Sequence, residues 1–262
     1  MGPLLRFLAS IGAVFLDGLA AAGRMAIFTL RAISHCARPP IYPRLILRQM
    51  VDIGYYSLPV VGLTALFTGM VLALQTFTGF ANFAAESAVP TVVVLSVTRE
   101  LGPVIAGLMV AGRIGAAIAA ELGTMRVTDQ IDALTTLSTN PYKYLVVPRV
   151  LAGTVTLPAL VLVADIIGVF GGFLVSNYRL RFNPAAYIQR TADFIQTNDV
   201  MAGLVKAAVF GFVVSLMGCY FGYHSRGGAQ GVGAATTYAV VSASILILLL
   251  DYVLTALLFV GR

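Results

Sequence analysis

Five apolar stretches dominate this chain: residues 53–77, 89–120, 148–176, 200–223 and 236–260. Each exceeds the about 20 residues that a helix needs to cross the hydrocarbon core of a bilayer. In lipid a spanning segment must satisfy its own backbone hydrogen bonds, which excludes open strands and irregular chain. The expected fold is an all-α integral membrane protein with five transmembrane helices. These spans fill most of the 262 residues and leave no room for a sizeable water-soluble catalytic domain.

Composition agrees. Only 11% of residues are charged, against about 25% in soluble domains. The 17 basic and 11 acidic residues give +6. In a membrane protein such a surplus belongs to cytoplasmic loops. No basic run interleaves with aromatic residues, so nucleic acid is not an expected partner. There is no G-x-x-x-x-G-K-[ST] and hence no P-loop for ATP. His35 and His224 are the only histidines, too few for a zinc-enzyme cluster. Cys36 and Cys219 lie far apart and fit no metal spacing. No G-x-S-x-G occurs. An enzymatic reading has nothing to rest on, and neither cofactor nor metal is expected in this chain.

Residues 1–40 form a sixth element of a different kind. Arg6, Asp17, Arg24 and Arg31 recur at spacings of 11, 7 and 7, which places them within about 40° on a helical wheel. One polar stripe on an apolar cylinder suits an amphipathic helix lying in the membrane interface. A cleaved leader is the other reading, but Asp17 interrupts the apolar core it would need. Pro39, Pro40 and Pro43 then make an elbow. The N-terminal region alone holds six arginines, and Arg126, Lys143, Arg149 and Arg226 share its side if the spans alternate. The opposite side receives Arg179, Arg181, Arg190 and Arg262. The basic excess therefore puts the N-terminus in the cytoplasm and the C-terminus outside. Residues 177–199 become an outer segment, with a short surface helix over 184–195.

Charges inside spans cost about 2.5–3.5 kcal/mol each on insertion scales, so each marks a candidate site. Arg99, Glu100, Asp165, Lys206 and Asp251 are of this kind. Counted from the outer ends at 1.5 Å per residue, they form one polar layer in the outer half of the membrane. Two readings stand: helix–helix ties, such as Lys206 with Asp251 and Arg99 with an acid, or the floor of an outward-open cavity. The abundant in-span glycines read mainly as close-packing positions.

The segment Glu121–Leu134 is polar yet helix-compatible, between the second and third spans. It resembles the signature of the MlaE/YrbE-type permeases, the membrane subunits of lipid-transporting ABC systems that work with MCE-domain proteins. Further matching stretches are Gly69–Gln75, Arg99–Val104, Ala111–Gly115, Asn140-Pro141, Pro148-Arg149, Gly231–Gly233 and Leu250–Ala256. They run in order along most of the chain, as one permease domain over 1–262. The match is weakest over the first 40 residues and over 177–199. One departure concerns Ala234 and Tyr238, where basic residues are common in the family.

The resemblance implies a bacterial inner-membrane homodimer with an interfacial N-terminal helix and five spans. It implies two cytoplasmic ABC ATPase subunits, which hold the ATP and magnesium, and a periplasmic MCE-domain oligomer. A small cytoplasmic accessory subunit is a further partner it allows. The cargo would be phospholipid, exchanged so that outer-membrane lipid asymmetry is maintained. Residues 121–140 would be a cytoplasmic coupling helix. Glu121, Leu122, Met125, Arg126, Asp129, Ile131, Asp132 and Leu134 would dock on the ATPase, the apolar members filling a groove. Near the outer end of the first span, Leu72, Thr76, Phe80 and Phe83 share one helical face, with Phe77 beside it. In a dimer with this span at the axis, they would line a lipid cavity together with Leu254 and Leu258. The competing reading is an ion-coupled secondary transporter using the intramembrane charges and no ATPase.

Overall fold

The computed structural model describes residues 3–36, 38–40, 42–81 and 86–259. Helix α1 covers Pro3–Cys36, α2 Pro43–Ile53 and α3 Leu58–Ala81. They are followed by α4 Val89–Val127, α5 Gln130–Thr136, α6 Tyr142–Tyr178, α7 Pro184–Phe194, α8 Thr197–Tyr223 and α9 Gly228–Phe259. Among the described residues there is no strand. Five units are long and apolar enough to span a membrane: Pro43–Ala81 (α2 with α3), α4, α6, α8 and α9.

The spans are longer than the sequence suggests. The second continues to Val127, and the third begins at Tyr142 rather than near 148. The reason lies partly in helix geometry. Turns of π-helix interrupt the second span at Val97–Leu101 and Ala111–Gly115 and open the third at Tyr142–Val146. Each takes up one extra residue without ending the helix, and such turns gather at functional positions. Arg99, Glu100, Arg113 and Lys143 all sit in one of them.

The long helices pack through small residues. A Cβ on Gly69 of α3 would lie 1.8 Å from the carbonyl oxygen of Gly168 on α6. A Cβ on Gly211 of α8 would lie 2.2 Å from the carbonyl oxygen of Gly153. So α6 is gripped at backbone distance by α3 on one side and α8 on the other, the packing expected for in-span glycines. Helix α9 lies against α8 and α4. Helix α8 is the central element, with 61% of its apolar window buried, whereas only 11% of α9's is. Phe210, Met217 and Leu157 belong to the buried core, with Phe210 against Gly107 of α4 and Leu157 against Gly211 of α8.

Helix α1 docks by Phe28 and Ala32, both buried. Phe28 sits in an aromatic nest of Tyr142, Tyr220, Tyr223 and His224, at centroid distances of 5.4 to 6.0 Å. Asp17, Arg24 and Arg31 are exposed, as is the apolar row Phe15, Leu16, Leu19, Ile27 and Leu30. Within residues 177–199 α7 is a real helix. Asn183 caps it, its side chain accepting from the backbone N–H of Ala185 at 3.0 Å, and Pro184 holds the first helical position.

Candidate functional site

Three of the five intramembrane charges meet. The Nζ of Lys206 on α8 is fully buried and donates to Glu100 Oε2 on α4 at 2.5 Å. It lies 3.0 Å from Asp251 Oδ1 and 2.7 Å from the Thr255 hydroxyl, both on α9. Its last contact is the carbonyl oxygen of Arg99 at 3.1 Å. That carbonyl is open for a physical reason. Pro103 stands four residues on and has no N–H to donate back to it. The ammonium takes the place of the missing helical bond. Thr255, which the sequence reading omits, also faces Glu100 Oε1 at 3.1 Å.

The other two charges go elsewhere. Arg99 pairs with Asp199 at the start of α8, at 2.9 Å. Asp165 joins neither group, so the contacts divide the five charges into a triad, a separate pair and an acid apart from both, with the two ties expected from the sequence, Lys206 with Asp251 and Arg99 with an acid, among them. Asp165 is buried against Gly102, where a Cβ would lie 1.8 Å from its Oδ1. Sequence spacing gives depth along a span but not the direction in which a side chain faces its neighbours, and direction separates these groups.

Along the middle of α3, an open groove of about 600 Å³ is lined by Leu63, Phe67, Val71, Leu72 and Gln75, with Leu101 of α4. Leu72, one of the residues expected to contact lipid, lines it. Thr76, Phe77 and Phe80 are not among its lining residues. Phe77 packs inward on Phe182 at 6.0 Å, and Leu254 packs on the core, while Leu258 is exposed. Phe83 lies outside the described residues. The residues missed, Leu63, Phe67 and Val71, are each more than half exposed. Their apolar one-face spacing along α3 was the signal available.

The connection after α4 differs from a single coupling helix over 121–140. Glu121, Leu122, Met125 and Arg126 are the last turns of α4. Asp129 has a left-handed backbone at φ 57°, and α5 starts after it. Leu122 and Ile131 are fully buried in this chain's own core, and Met125 and Leu134 pack on it. Leu122 and Ile131 hold the connection to the bundle and present no free surface to a partner, while Met125 and Leu134 are half-buried. Glu121, Asp129 and Asp132 are exposed. Arg126 and Asp132 tie the two pieces at 2.6 Å, and Glu121 reaches Arg149 of α6 at 2.8 Å. Leu137, just past α5, is 74% exposed and is the free apolar group here.

Among the described residues no group of His, Cys, Asp and Glu is placed to hold a metal. In comparisons with known proteins, the family model described as Permease MlaE matches residues 46–257. The chain is 57% identical over 256 residues to a probable ABC transporter permease protein of Rickettsia felis, covering 98% of this chain and 99% of that one. It is 33% identical over 260 residues to the intermembrane phospholipid transport system permease protein MlaE of Haemophilus influenzae, covering 98% of each. It is 36% identical over 221 residues to the chloroplastic protein TRIGALACTOSYLDIACYLGLYCEROL 1 of Arabidopsis thaliana, covering 84% of this chain and 63% of that one. With five membrane-spanning helices and a family match over most of its length, the chain belongs to the MlaE permease family as the transport subunit of an ABC transporter.

Proposed function

We propose that the chain works as an inner-membrane homodimer that moves phospholipid between that membrane and a periplasmic MCE-domain partner, maintaining outer-membrane lipid asymmetry. Two cytoplasmic ATPases supply the energy, with ATP and magnesium bound in them. The observation that carries this reading is the pair of unpartnered apolar faces on α3 and α9. On α9, Tyr238, Val241, Ile245, Leu248 and Tyr252 are exposed at helical spacing. On α3 the exposed face carries the groove. Two copies joined through these faces enclose an apolar cavity between them, open to the outer side.

The permease name of the Haemophilus influenzae relative supports phospholipid as cargo. The exposed surface around Glu121, Asp129, Asp132 and Leu137 supports an ATPase contact of acids around one apolar plug. The ion-coupled alternative draws no support from the charged groups, since Lys206 is already engaged by Glu100 and Asp251.

Photo-crosslinkers at Phe67 and Leu72 test the site. They should capture phospholipid in cells well above the level at Val155, which is 58% exposed on α6 and does not line this groove. Equal capture at all three positions would mean plain bilayer contact.

A further inference from the structure

A groove of about 290 Å³ lies between α2 and α4. Gln49 and Asp52 of α2 line it, with Tyr56 just beyond that helix. From α4 come Arg113, Ala117 and Glu121, spaced by four residues and so on one helical face. No residue lines both this groove and the larger one on α3. At 1.5 Å per residue Arg113 stands about 36 Å from the start of α4 at Val89, past the about 30 Å of a hydrocarbon core. The groove is therefore at headgroup level on the side of the membrane where α4 ends. In the orientation read from the basic residues, that is the inner leaflet. Tyr55 and Tyr56, 67% and 57% exposed, suit such a level.

The charges in this groove do not cancel one another. Arg113 belongs to the π turn Ala111–Gly115 and is partly buried. Its Nη1 donates to the carbonyl oxygen of Asp52 at 3.2 Å and to the Ser57 hydroxyl at 2.8 Å, which holds the guanidinium in place. Its other N–H groups have no hydrogen-bond partner among the described residues, and they are not sealed from the surface. Asp52 gives Arg113 its carbonyl and not its carboxylate, and no ion pair joins the two. The Asp52 carboxylate has no partner of its own among the described residues. Glu121 gives Oε1 to Arg149 and is otherwise open, with 57% of its side chain exposed. A guanidinium with N–H groups to spare beside free carboxylate oxygens matches a ligand that carries both charges. The order along the membrane matches as well. Glu121 is about two turns past Arg113 on α4, about 12 Å nearer the water. In a zwitterionic phospholipid the phosphate is next to the glycerol and the ammonium is beyond it.

We propose that this groove binds the headgroup of a zwitterionic phospholipid, with its phosphate on Arg113 and its ammonium between Asp52 and Glu121. The acyl chains stay in the leaflet and lie along Val60, one turn after Tyr56 and about half exposed. The site rests on the placement of the chain in the membrane and not on transport through the α3 groove.

The test uses the full chain, purified with the subunits that accompany it and placed in nanodiscs of phosphatidylethanolamine and phosphatidylglycerol in equal parts. A benzoylphenylalanine crosslinker stands at Tyr56 or, as reference, at Val51, which is 51% exposed on α2 and does not line the groove. Lipid adducts are measured by mass spectrometry. Adducts at Val51 should follow the bilayer composition. Those at Tyr56 should favour phosphatidylethanolamine by roughly threefold to tenfold. Asp52→Asn should remove most of that preference at unchanged protein yield, because this carboxylate ties nothing in the fold. Arg113→Gln should lower capture of both lipids at Tyr56. Capture at Tyr56 that follows the bilayer composition, a preference indifferent to Asp52→Asn, or an adduct with a second copy of the chain instead of lipid would each overturn the proposal. Capture at Phe67 and Leu72, read in the same nanodiscs, reports on the α3 groove separately.

Discussion

Lys206 donates from a fully buried Nζ to Glu100 Oε2 at 2.5 Å, so the fourth span is tied to the second by a charge-assisted bond. The ammonium also fills the gap left by Pro103 in the helix ladder of α4. Removing it exposes both defects at once. Lys206→Met leaves Glu100 and Asp251 facing each other without compensation, which should cost about 3 kcal/mol. Combining it with Glu100→Gln and Asp251→Asn should recover most of that loss. Thermal unfolding in detergent separates the two: the single variant melts well below the wild type, and the triple variant close to it.

Gly69 and Gly79 lie on the same helix and give opposite signs. A Cβ at Gly69 meets the backbone of Gly168, which has no side chain to move aside. Gly69→Ala should push α3 off α6 and cost about 1–3 kcal/mol. Nothing lies within 4 Å of a Cβ at Gly79. Gly79→Ala should be neutral, or stabilising by up to about 1 kcal/mol through helix propensity. Melting midpoints of the two variants check this directly.

On the connection between α4 and α6, burial divides folding from docking. Leu137 is 74% exposed, whereas Ile131 is fully buried. Leu137→Asp should reduce ATPase co-purification severalfold while the permease still accumulates in the membrane, because a charge replaces an apolar plug. Ile131→Asp should lower the amount of permease itself. Equal co-purification with Leu137→Asp would place the docking surface elsewhere.

Helix α1 exposes Asp17 and Arg24 together with an apolar row. With the helix on the inner surface, cysteines at Asp17 and Arg24 should react with impermeant thiol reagents from the cytoplasmic side only. Labelling of either from outside would give α1 the opposite placement.

The spans were legible because lipid demands long uninterrupted apolar helices, and nothing else in a sequence looks like that. Their inner ends were not. Leu122 and Ile131 sit among polar neighbours in the chain, so the connection reads as a free surface helix, yet tertiary packing buries both. The π turns have no signature in hydrophobic period, and they rotate Arg99, Glu100 and Arg113 away from the positions that a regular helix gives. The Lys206–Asp251 contact was foreseeable from charge and depth, and it is present. That Glu100 joins this contact at closer range, and Asp165 does not join it, depended on which faces the helices turn to each other. The groove shows the same division. The four-residue spacing of Leu63, Phe67 and Val71 stands in the sequence, but which side of α3 is left uncovered does not.

The central claim is ATP-driven phospholipid transfer through this permease, and reconstitution measures it most directly. The purified complex of this chain with its ATPase is placed in liposomes holding isotopically labelled phospholipid, and a soluble MCE-domain acceptor is added outside. Label exchanged between liposome and acceptor is followed over time. Exchange should require ATP, cease with ADP, and fall when Phe67→Trp and Leu72→Trp fill the α3 groove. Exchange that proceeds without ATP, that follows an imposed ion gradient instead, or that is indifferent to the filled groove would contradict the account.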